Sequence, residues 1–458
     1  MVKKTSIKEL KHKARRLSIK EGIFATIKGS FGDYYLSPFA IAINTSSPMV
    51  AMLSSISGFF GPLTQIFSSR LIKKYPRKKI ISKAVFLESL IWLPLILIAF
   101  LFYKGIVTSL LPFILLLTFA FYIILANIGG PAWFSWMGDI VDKEYRGRWF
   151  AKRSLIAGFV SITLALSASF FLTYFKNKGW IMWGFIILFS LAFLARLNCW
   201  RIFKKQYEPK IKIKKGDYFS FWDFIIQSPK TNFGKFSLFR AFFAFACSIA
   251  SPLLAVYLLR NLEFAYTTYM VIILASSAFS LLVLEIWGKF ADKYGNYRVM
   301  GITSILIPII PILWIISPSP IYLVLVPAIV SGISWAGFNL SAGNFIYDNV
   351  HAQKRGVAVS YYNMLNGIGI FLGAGLGALL IKFLTITIIE PILLIFLISG
   401  IARMIAVFWW MPKLKEVRKT EKFNGKKAFK HIIFREIKPT LLEEAHQIKS
   451  IREYLSTK

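Results

Sequence analysis

The chain has 458 residues, of which 56% are hydrophobic and 17% charged, with a mean hydropathy of +0.59 and a formal net charge of +35. A soluble protein of two or three domains is far less apolar, so this composition indicates an integral membrane protein. In a membrane protein the positions of Lys and Arg matter more than their sum. The net charge therefore gives no reason to expect nucleic acid as a partner.

Twelve apolar stretches follow one another along the chain, each long enough to cross a hydrocarbon core that needs about 20 helical residues. In chain order they form spans 1 to 12, at 23–45, 49–71, 80–103, 107–138, 152–175, 179–203, 236–259, 265–287, 296–316, 321–347, 357–383 and 387–411. Only helices or closed barrels satisfy every backbone group in lipid, and these stretches are too continuously apolar for barrel strands. The predicted fold is all-α, with twelve transmembrane helices.

Basic residues are concentrated in alternate connections. The two tails, the connections between spans 2 and 3, 4 and 5, 8 and 9, and 10 and 11, and the link after span 6 hold nearly all Lys and Arg. The opposite connections together contain about five basic residues: Lys104, Lys176, Lys178, Arg260 and Lys382. The positive-inside rule then predicts that both termini face the cytoplasm and that this basic side contacts anionic lipids of the inner leaflet.

Signals for catalysis and for cofactors are missing from the sequence. Cys199 and Cys247 have no partner at a disulfide or metal-ligand spacing, and the four histidines lie in tails or loops. No phosphate-binding GxxxxGK[ST] loop and no Ser/His/Asp set can be assembled. We therefore expect no metal, no cofactor and no enzymatic activity.

Several landmarks occur twice, in the same order. "GDIVDKEYRG" and "YDNVHAQKRG" each place an aspartate seven residues before an Arg-Gly pair. The residues are Asp139, Arg146 and Gly147 in the first copy and Asp348, Arg355 and Gly356 in the second. Ser-Pro pairs in spans 1 and 7 are offset by 214 residues, and the arginines of "FLARL" and "GIARM" by 207. This repetition predicts two six-helix halves of similar structure.

The predicted domain order follows from the repeat. A first half covers 23–203 and a second half covers 236–411, joined by a basic linker at 204–235. Tails of 1–22 and 412–458 flank them. In the last tail, "TLLEEAHQIKSIREYL" has an N-cap threonine and an apolar stripe, which predict a short amphipathic helix. Two repeats joined by a linker on the basic side are typical of secondary transporters whose halves rock about a midplane site.

The connection between spans 8 and 9 carries a specific resemblance. Its "GKFADKYGNYR" resembles the G-x-x-x-D-[RK]-x-G-x-x-[RK] signature of the major facilitator superfamily, through Gly288, Asp292, Lys293, Gly295 and Arg298. The Asp139 and Asp348 stretches are similar to an acidic-x6-Arg-Gly element of the family's sugar porters. The resemblance covers about residues 20 to 412 and implies the twelve-helix fold of that family, without identifying a subgroup.

The first-half copy of the signature departs from the family. Ser69, Lys73 and Pro76 stand at the positions of its first Gly, its Asp and its second Gly. Span 5 also lacks the Gly-Pro-rich motif of the superfamily's drug/proton antiporters. The resemblance therefore implies that only the second-half signature acts in the family's manner.

We expect the repeated charges to form a gate on the basic side. Arg146 and Arg355 begin spans 5 and 11, and Asp292 can cap a helix N-terminus, where the macrodipole favours an anion by roughly 0.3–1 kcal/mol. Gly288 would allow close approach of the backbones. The alternative is that these charges only mark helix ends and orient insertion.

Ionisable residues inside the spans are costly and indicate a site. Asp33, beside Tyr34 near the middle of span 1, is a candidate for substrate binding or coupling. The alternative is a structural ion pair with Lys28. Glu88 in span 3 is expected to have a structural partner, and snorkelling to the membrane surface explains Arg196 and Arg403. The remaining candidates are polar or aromatic residues of spans 4, 10 and 11: Asn127, Trp133, Trp335, Asn339, Asn363 and Asn366.

Two function classes remain open. The first is a monomeric secondary active transporter that moves a small organic solute by alternating access, as a symporter or an antiporter, with or without proton coupling. The second is a protein of the same fold that moves no soluble substrate, either a lipid flippase or a non-transporting sensor. A central sealed cavity favours the solute carrier, and a cavity that opens sideways to lipid favours the flippase.

Overall fold

The computed structural model describes residues 7–142, 146–209, 220–351, 354–384, 390–418 and 420–421. Within these ranges the regular structure is entirely helical and no strand occurs. The first half contains α1 Ile7–Phe31, α2 Leu36–Ala42, α3 Ser47–Lys74, α4 Arg77–Tyr103, α5 Leu111–Ile128, α6 Gly130–Ile140, α7 Arg146–Asn177 and α8 Ile181–Lys205.

A short helix, α9 Phe221–Gln227, lies in the predicted linker and begins with a capping box formed by Ser220 and Asp223. The second half contains α10 Asn232–Ala250, α11 Leu254–Val256, α12 Tyr266–Tyr294, α13 Asn296–Leu306, α14 Ile309–Ile316, α15 Pro320–Leu323, α16 Ile329–Asn349, α17 Arg355–Phe383 and α18 Pro391–Trp410. The amphipathic helix predicted for the C-terminal tail lies outside the described residues.

Eleven stretches of the described chain are helical, long and apolar enough to cross a membrane, beginning at Ser47–Ser68 and ending at Pro391–Lys413. They coincide with predicted spans 2 to 12. The all-helical membrane fold predicted from the sequence is confirmed. Span 1 is the weak member of the twelve, because its helix carries many charged residues towards its start.

Span 1 is not the single helix that the sequence predicted. α1 begins at Ile7, inside the predicted tail, and ends at Phe31; a 3-10 turn over Asp33–Tyr35 precedes α2. Pro38 has no N–H to donate one turn back, which favours the break. At the break Gly32 lies against the indole of Trp92, where an added Cβ would be 2.1 Å from the ring. The interruption places Asp33 at a non-α-helical position within the span.

Other interruptions of the spans also lie next to prolines. α10 ends before a 3-10 turn that contains Pro252, the repeat equivalent of Pro38. Span 4 is divided into α5 and α6 just before Pro131, and span 9 into α13 and α14 at Pro308. Span 10 contains a π-helical turn around Pro327. The backbone N–H groups that these prolines lack thus explain the interruptions of the α-helix in several spans.

The described chain forms two compact units. The first comprises Met1–Gly216, Ala244–Val271 and Ser360–Ile395. The second comprises Asp217–Phe243, Ile272–Val359 and Phe396–Lys458. In the first unit small residues permit close packing, since a Cβ at Gly367 would lie 2.4 Å from the carbonyl oxygen of Gly58. By its residue bounds, the first unit includes parts of spans 7 and 11 as well as the first half.

Candidate functional site

Asp33 forms a hydrogen-bonded group with two side chains of the first half. The Lys28 ammonium lies 2.9 Å from its Oδ2 atom, and the Tyr122 hydroxyl donates to Oδ1. Lys28 also donates to the Tyr122 hydroxyl oxygen at 2.9 Å. The Asp33 side chain is 42% exposed, whereas that of Lys28 is 10% exposed. The carboxylate is therefore the accessible member of a pair whose cation is buried.

Glu88 extends this pair into a longer chain of charges. Its side chain is 1% exposed, with Oε1 lying 3.4 Å from the Lys28 ammonium and Oε2 lying 2.5 Å from the Arg196 guanidinium. The four groups, in the order Asp33, Lys28, Glu88 and Arg196, alternate in sign and sum to zero formal charge. The interpretation of Arg196 as a snorkelling residue is wrong, because a buried acid holds its guanidinium inside the helical half.

Helix packing explains why these residues meet. α1 and α4 both pack along α8, which brings Lys28, Glu88 and Arg196 together from three helices. The Trp92 ring, one turn beyond Glu88 on α4, packs against the Tyr122 ring at 5.6 Å between centroids. The close approach of Gly32 to Trp92 then fixes the break in span 1 beside the cluster. We call Asp33, Lys28, Tyr122, Glu88 and Arg196 the charged cluster.

The arginine at the equivalent position of the second half is also buried, and its contacts include neutral groups. Arg403, the repeat equivalent of Arg196, is buried and donates to Ser399 Oγ at 3.2 Å and to the Ile307 carbonyl at 3.3 Å. Ile307 lies 219 residues after Glu88, the same offset that relates the two signature connections. Pro311 cannot donate to the Ile307 carbonyl, which leaves that oxygen accessible to the guanidinium. The snorkelling interpretation of Arg403 is therefore also wrong.

Two cavities adjoin the charged cluster. A cavity of about 610 Å³ is lined by α1, the turn after it and α7. Its lining residues are Thr26, Gly29, Asp33, Tyr34, Ala157, Gly158 and Ser161. A second cavity, of about 200 Å³, lies within the first half and contacts Glu21, Arg153, Arg196 and Trp133. Of the candidates predicted from the sequence, Asp33 and Tyr34 thus share the larger cavity and Trp133 lines the smaller one.

The predicted asparagines of spans 4 and 11 meet through a residue that the sequence analysis missed. Gln65 of α3 donates to Asn127 Oδ1 at 3.2 Å and accepts from Asn363 Nδ2 at 3.3 Å. Asn366 lies one turn further along α17, and its Oδ1 is buried without a hydrogen-bond partner among the described residues. Gln65 could have been identified as the amide in the otherwise weakly polar stretch "GPLTQIF". These amides join α3, α5 and α17 within the first unit.

Both predicted tryptophans pack against aromatic neighbours. Trp133 packs against the buried cluster around Trp136, and the Arg153 guanidinium lies 4.6 Å from its ring centroid. Trp335, in the second unit, packs against Phe243 and Phe338. Asn339, on the same helix as Trp335, is exposed. Trp335 and Asn339 thus belong to the second unit, whereas the other candidates belong to the first.

On the basic side of the first half, Asp139 pairs with an arginine from another connection. Arg77 Nη1 lies 2.6 Å from Asp139 Oδ2, and the Arg77 backbone N–H donates to Glu208 at 2.8 Å. Arg146 begins α7, with Gly147 as the next residue, and their side chains lie outside the described part of the structure. The partner of Asp139 thus comes from the start of α4.

The second half repeats this arrangement with different chemistry. Asn296 donates to Asp348 at 2.7 Å, and the Tyr297 N–H donates to Glu416 at 2.9 Å. Asn296 and Arg77 differ by 219 residues, so equivalent positions contact the two equivalent aspartates. Arg355 donates instead to the carbonyls of Tyr347 and Val350.

The signature residues extend from the last turns of α12, through the turn at Gly295, into α13. Gly295 has a φ of +94°, and a Cβ there would lie 2.2 Å from Glu416 Oε2. The Asp292 side chain is 80% exposed, and Arg418 lies 3.8 Å from it. Lys293 lies 3.9 Å from Glu421. A Cβ at Gly288 or at Gly356 would meet no neighbouring atom of the described residues within 4 Å, and Arg298 is half-buried.

Asp142, in the connection after α6, is a titratable group outside the spans with a perturbed pKa. Arg15, near the start of α1, donates to Asp142 at 2.9 Å, and Lys11 lies 3.7 Å from the same carboxylate. The hydrogen bond from Arg15 lowers the pKa of Asp142, with the nearby Lys11 charge acting in the same direction. This contact ties the first turns of α1 to the connection that follows α6.

Comparison with known proteins identifies the fold. The sequence profile described as Major Facilitator Superfamily matches residues 236–454. The resemblance to the major facilitator superfamily is confirmed. No curated protein matches the chain in sequence. The profile match does not identify a subgroup of the family.

Solved structures agree with this result. The nucleoside transporter NupG superposes with a TM-score of 0.63 at 16% identity, over 89% of this chain and 100% of that one. A bacterial homologue of the iron transporter ferroportin gives 0.66 at 15% identity, over 89% and 100%. An auto-inhibited POT family peptide transporter gives 0.66 at 12% identity, over 90% and 99%. These three transporters therefore share the fold of this chain.

Proposed function

We propose that the protein is a secondary active transporter of a small organic solute in the cytoplasmic membrane, working by alternating access and coupled to protons through Asp33. Its family and its structural neighbours support membrane transport in general. The coupling role rests on the charged cluster. In this proposal both termini are cytoplasmic and the protein catalyses no chemical reaction.

The asymmetry between the two halves is the observation that carries the proposal. At the offsets that relate the halves, Phe242, Cys247 and Ile307 stand where the first half has Lys28, Asp33 and Glu88. The second half forms the corresponding helices without any of these charges. The helical architecture therefore does not require an intramembrane ion-pair chain. Charged groups retained inside a membrane against their cost generally serve a function.

Within the cluster, Asp33 is the group best placed to exchange a proton. It is the most exposed of the four charges and lines the larger cavity, whereas Glu88 is buried. If Asp33 takes up a proton, Lys28 still has Glu88 as a partner at 3.4 Å. Protonation therefore does not leave a buried cation alone. Opening and closing of a cavity changes the hydration of such a carboxylate, which can drive uptake on one side and release on the other.

The proposal can be tested with Asp33→Asn once a substrate is found by a ligand-induced thermal-shift screen and by uptake into proteoliposomes. The variant mimics the protonated acid and cannot titrate. We expect it to exchange substrate across the membrane but to lose accumulation driven by a pH gradient. Accumulation with an unaltered pH dependence would rule out Asp33 as the coupling residue.

Glu285→Gln provides a matched control. Glu285 is also an exposed carboxylate of a membrane span with a lysine partner, at 3.0 Å from Lys289, but it belongs to the second unit. We expect this control to accumulate substrate as the unmodified protein does. A protein that binds solutes in the screen yet moves none of them, or that moves only labelled lipid, would favour the sensor or the flippase instead.

A further inference from the structure

A surface groove of about 370 Å³ lies in the first half, between the ends of α3, α4 and α5. It is lined by Leu71, Tyr75, Lys79, Ile80, Lys83, Ala84, Leu87, Leu125 and Ile128. We propose that this groove binds one anionic phospholipid, whose phosphate contacts Lys79 and Lys83 and whose acyl chain follows the apolar residues. The site is separate from the charged cluster and does not depend on the proposed transport activity.

The two lysines form the polar end of the groove. Both are exposed and they stand four residues apart, on the same face of α4. Like charges at this spacing repel each other. Neither ammonium is ion-paired with a carboxylate of the described chain, and Lys79 lies 5.6 Å from the centroid of the Tyr75 ring. A phosphate between the two ammonium groups would relieve their repulsion.

The depth of the lysines matches a lipid headgroup. α4 begins at Arg77, and at a rise of about 1.5 Å per residue Lys79 lies roughly 3 Å and Lys83 roughly 9 Å along the axis from that end. This end of the helix belongs to the basic side, which the Lys and Arg distribution predicts to be cytoplasmic. Lysine side chains at this depth reach the interface readily, because their stems are apolar.

The rest of the groove is suited to an acyl chain. Leu87 lies roughly 15 Å from the start of α4, well inside the hydrocarbon region, and is 39% exposed. Leu125 and Ile128 of α5 form the opposite wall and are half-buried. A free phosphate would leave this apolar surface unused, whereas a phospholipid engages both parts. Charge and apolar shape together therefore favour a lipid over a soluble anion.

Native mass spectrometry of the purified full chain tests the site. The protein would be exchanged into micelles that contain equal amounts of phosphatidylglycerol and phosphatidylcholine. With each basic residue near an anionic surface contributing about a fivefold gain, we expect the first phosphatidylglycerol to bind roughly 30-fold more tightly than phosphatidylcholine. Lys79→Gln with Lys83→Gln should abolish most of this preference.

A matched control removes the same charge elsewhere. Lys204 and Lys205 are exposed lysines at the basic end of α8 and do not line the groove. Lys204→Gln with Lys205→Gln should keep the preference for phosphatidylglycerol. If both double variants lose it equally, the attraction is a property of the whole basic side and the site does not exist.

A second variant keeps every charge and fills the groove. Leu87→Trp should weaken phosphatidylglycerol binding severalfold, because a larger side chain occupies the space of the acyl chain. Glycerol phosphate, which has the anionic group without chains, should not displace the bound lipid. Displacement by glycerol phosphate, or unchanged binding to Leu87→Trp, would overturn the assignment to a phospholipid.

Discussion

Replacing Glu88 with glutamine should destabilise the protein far more than replacing Asp33 with asparagine. The Glu88 side chain is 1% exposed and contacts two buried cations, Arg196 at 2.5 Å and Lys28 at 3.4 Å. Removing one partner of a buried ion pair costs roughly 3–5 kcal/mol, because the remaining charge stays buried without compensation. In Glu88→Gln the Arg196 guanidinium loses the Glu88 carboxylate, and Lys28 keeps its contacts with Asp33 and with the Tyr122 hydroxyl.

The expected cost at Asp33 is smaller for two reasons. Its side chain is 42% exposed, so water screens much of its attraction to Lys28, and exposed pairs contribute at most about 1 kcal/mol. In addition, Lys28 keeps Glu88 as a partner when Asp33 becomes neutral. The two carboxyl-to-amide changes therefore differ by roughly 2–5 kcal/mol.

The comparison can be made by equilibrium unfolding of the purified variants in mixed micelles, with the free energy of unfolding as the measured quantity. Combining Glu88→Gln with Arg196→Gln should recover part of the loss, because no unpaired guanidinium then remains buried. Equal free energies for Glu88→Gln and Asp33→Asn would refute the assignment of Glu88 as the buried centre of the cluster.

Two further predictions concern the second half and the topology. Gly295→Ala should destabilise the protein by roughly 1–3 kcal/mol, because its φ of +94° is unfavourable for alanine and the added Cβ would meet Glu416; Gly288→Ala, with no atom within 4 Å, should be tolerated. Unfolding of both variants tests this difference, and equal stabilities would contradict it. With the native cysteines replaced, Ser319→Cys should react with an impermeant thiol reagent from outside intact cells and Lys205→Cys should not, whereas the reverse labelling would invert the predicted orientation.

Most of the spans could be predicted because lipid imposes a minimum apolar length on any helix that crosses it. Span 9 was predicted at 296–316 and is found at Asn296–Ile316; span 5 was predicted at 152–175 and is found at Lys152–Asn177. Span 1 was predicted as one helix and is broken at Gly32. Apolar length contains no information on such a break. The sequence also does not reveal that the charged residues of α1 before residue 23, which belong to the predicted tail, are helical.

The contacts of the site could be predicted only in part. The sequence offers the pairing of Lys28 with Asp33 as one of two alternatives, since the two residues are five apart. The contacts of Glu88 with Arg196 and Lys28 depend on how α4 and α8 are rotated about their axes, which no short-range pattern specifies. The same holds for Glu416, whose carboxylate reaches the N-terminus of α13 from a segment beyond span 12.

The contacts inside the first half differ in strength from the contacts between that half and span 11. All four charges of the cluster belong to the first half, so its ion pairs hold helices of that half together. In the same compact unit, the first half meets span 11 through different contacts: the Asn363 to Gln65 amide bond and the Ser55 hydroxyl on the Phe371 carbonyl. These are neutral hydrogen bonds, each worth about 1 kcal/mol net. Alternating access needs rigid bodies joined by contacts that are individually easy to break. In the proposed transport cycle, we therefore expect the neutral contacts with span 11 to break more easily than the ionic contacts inside the first half.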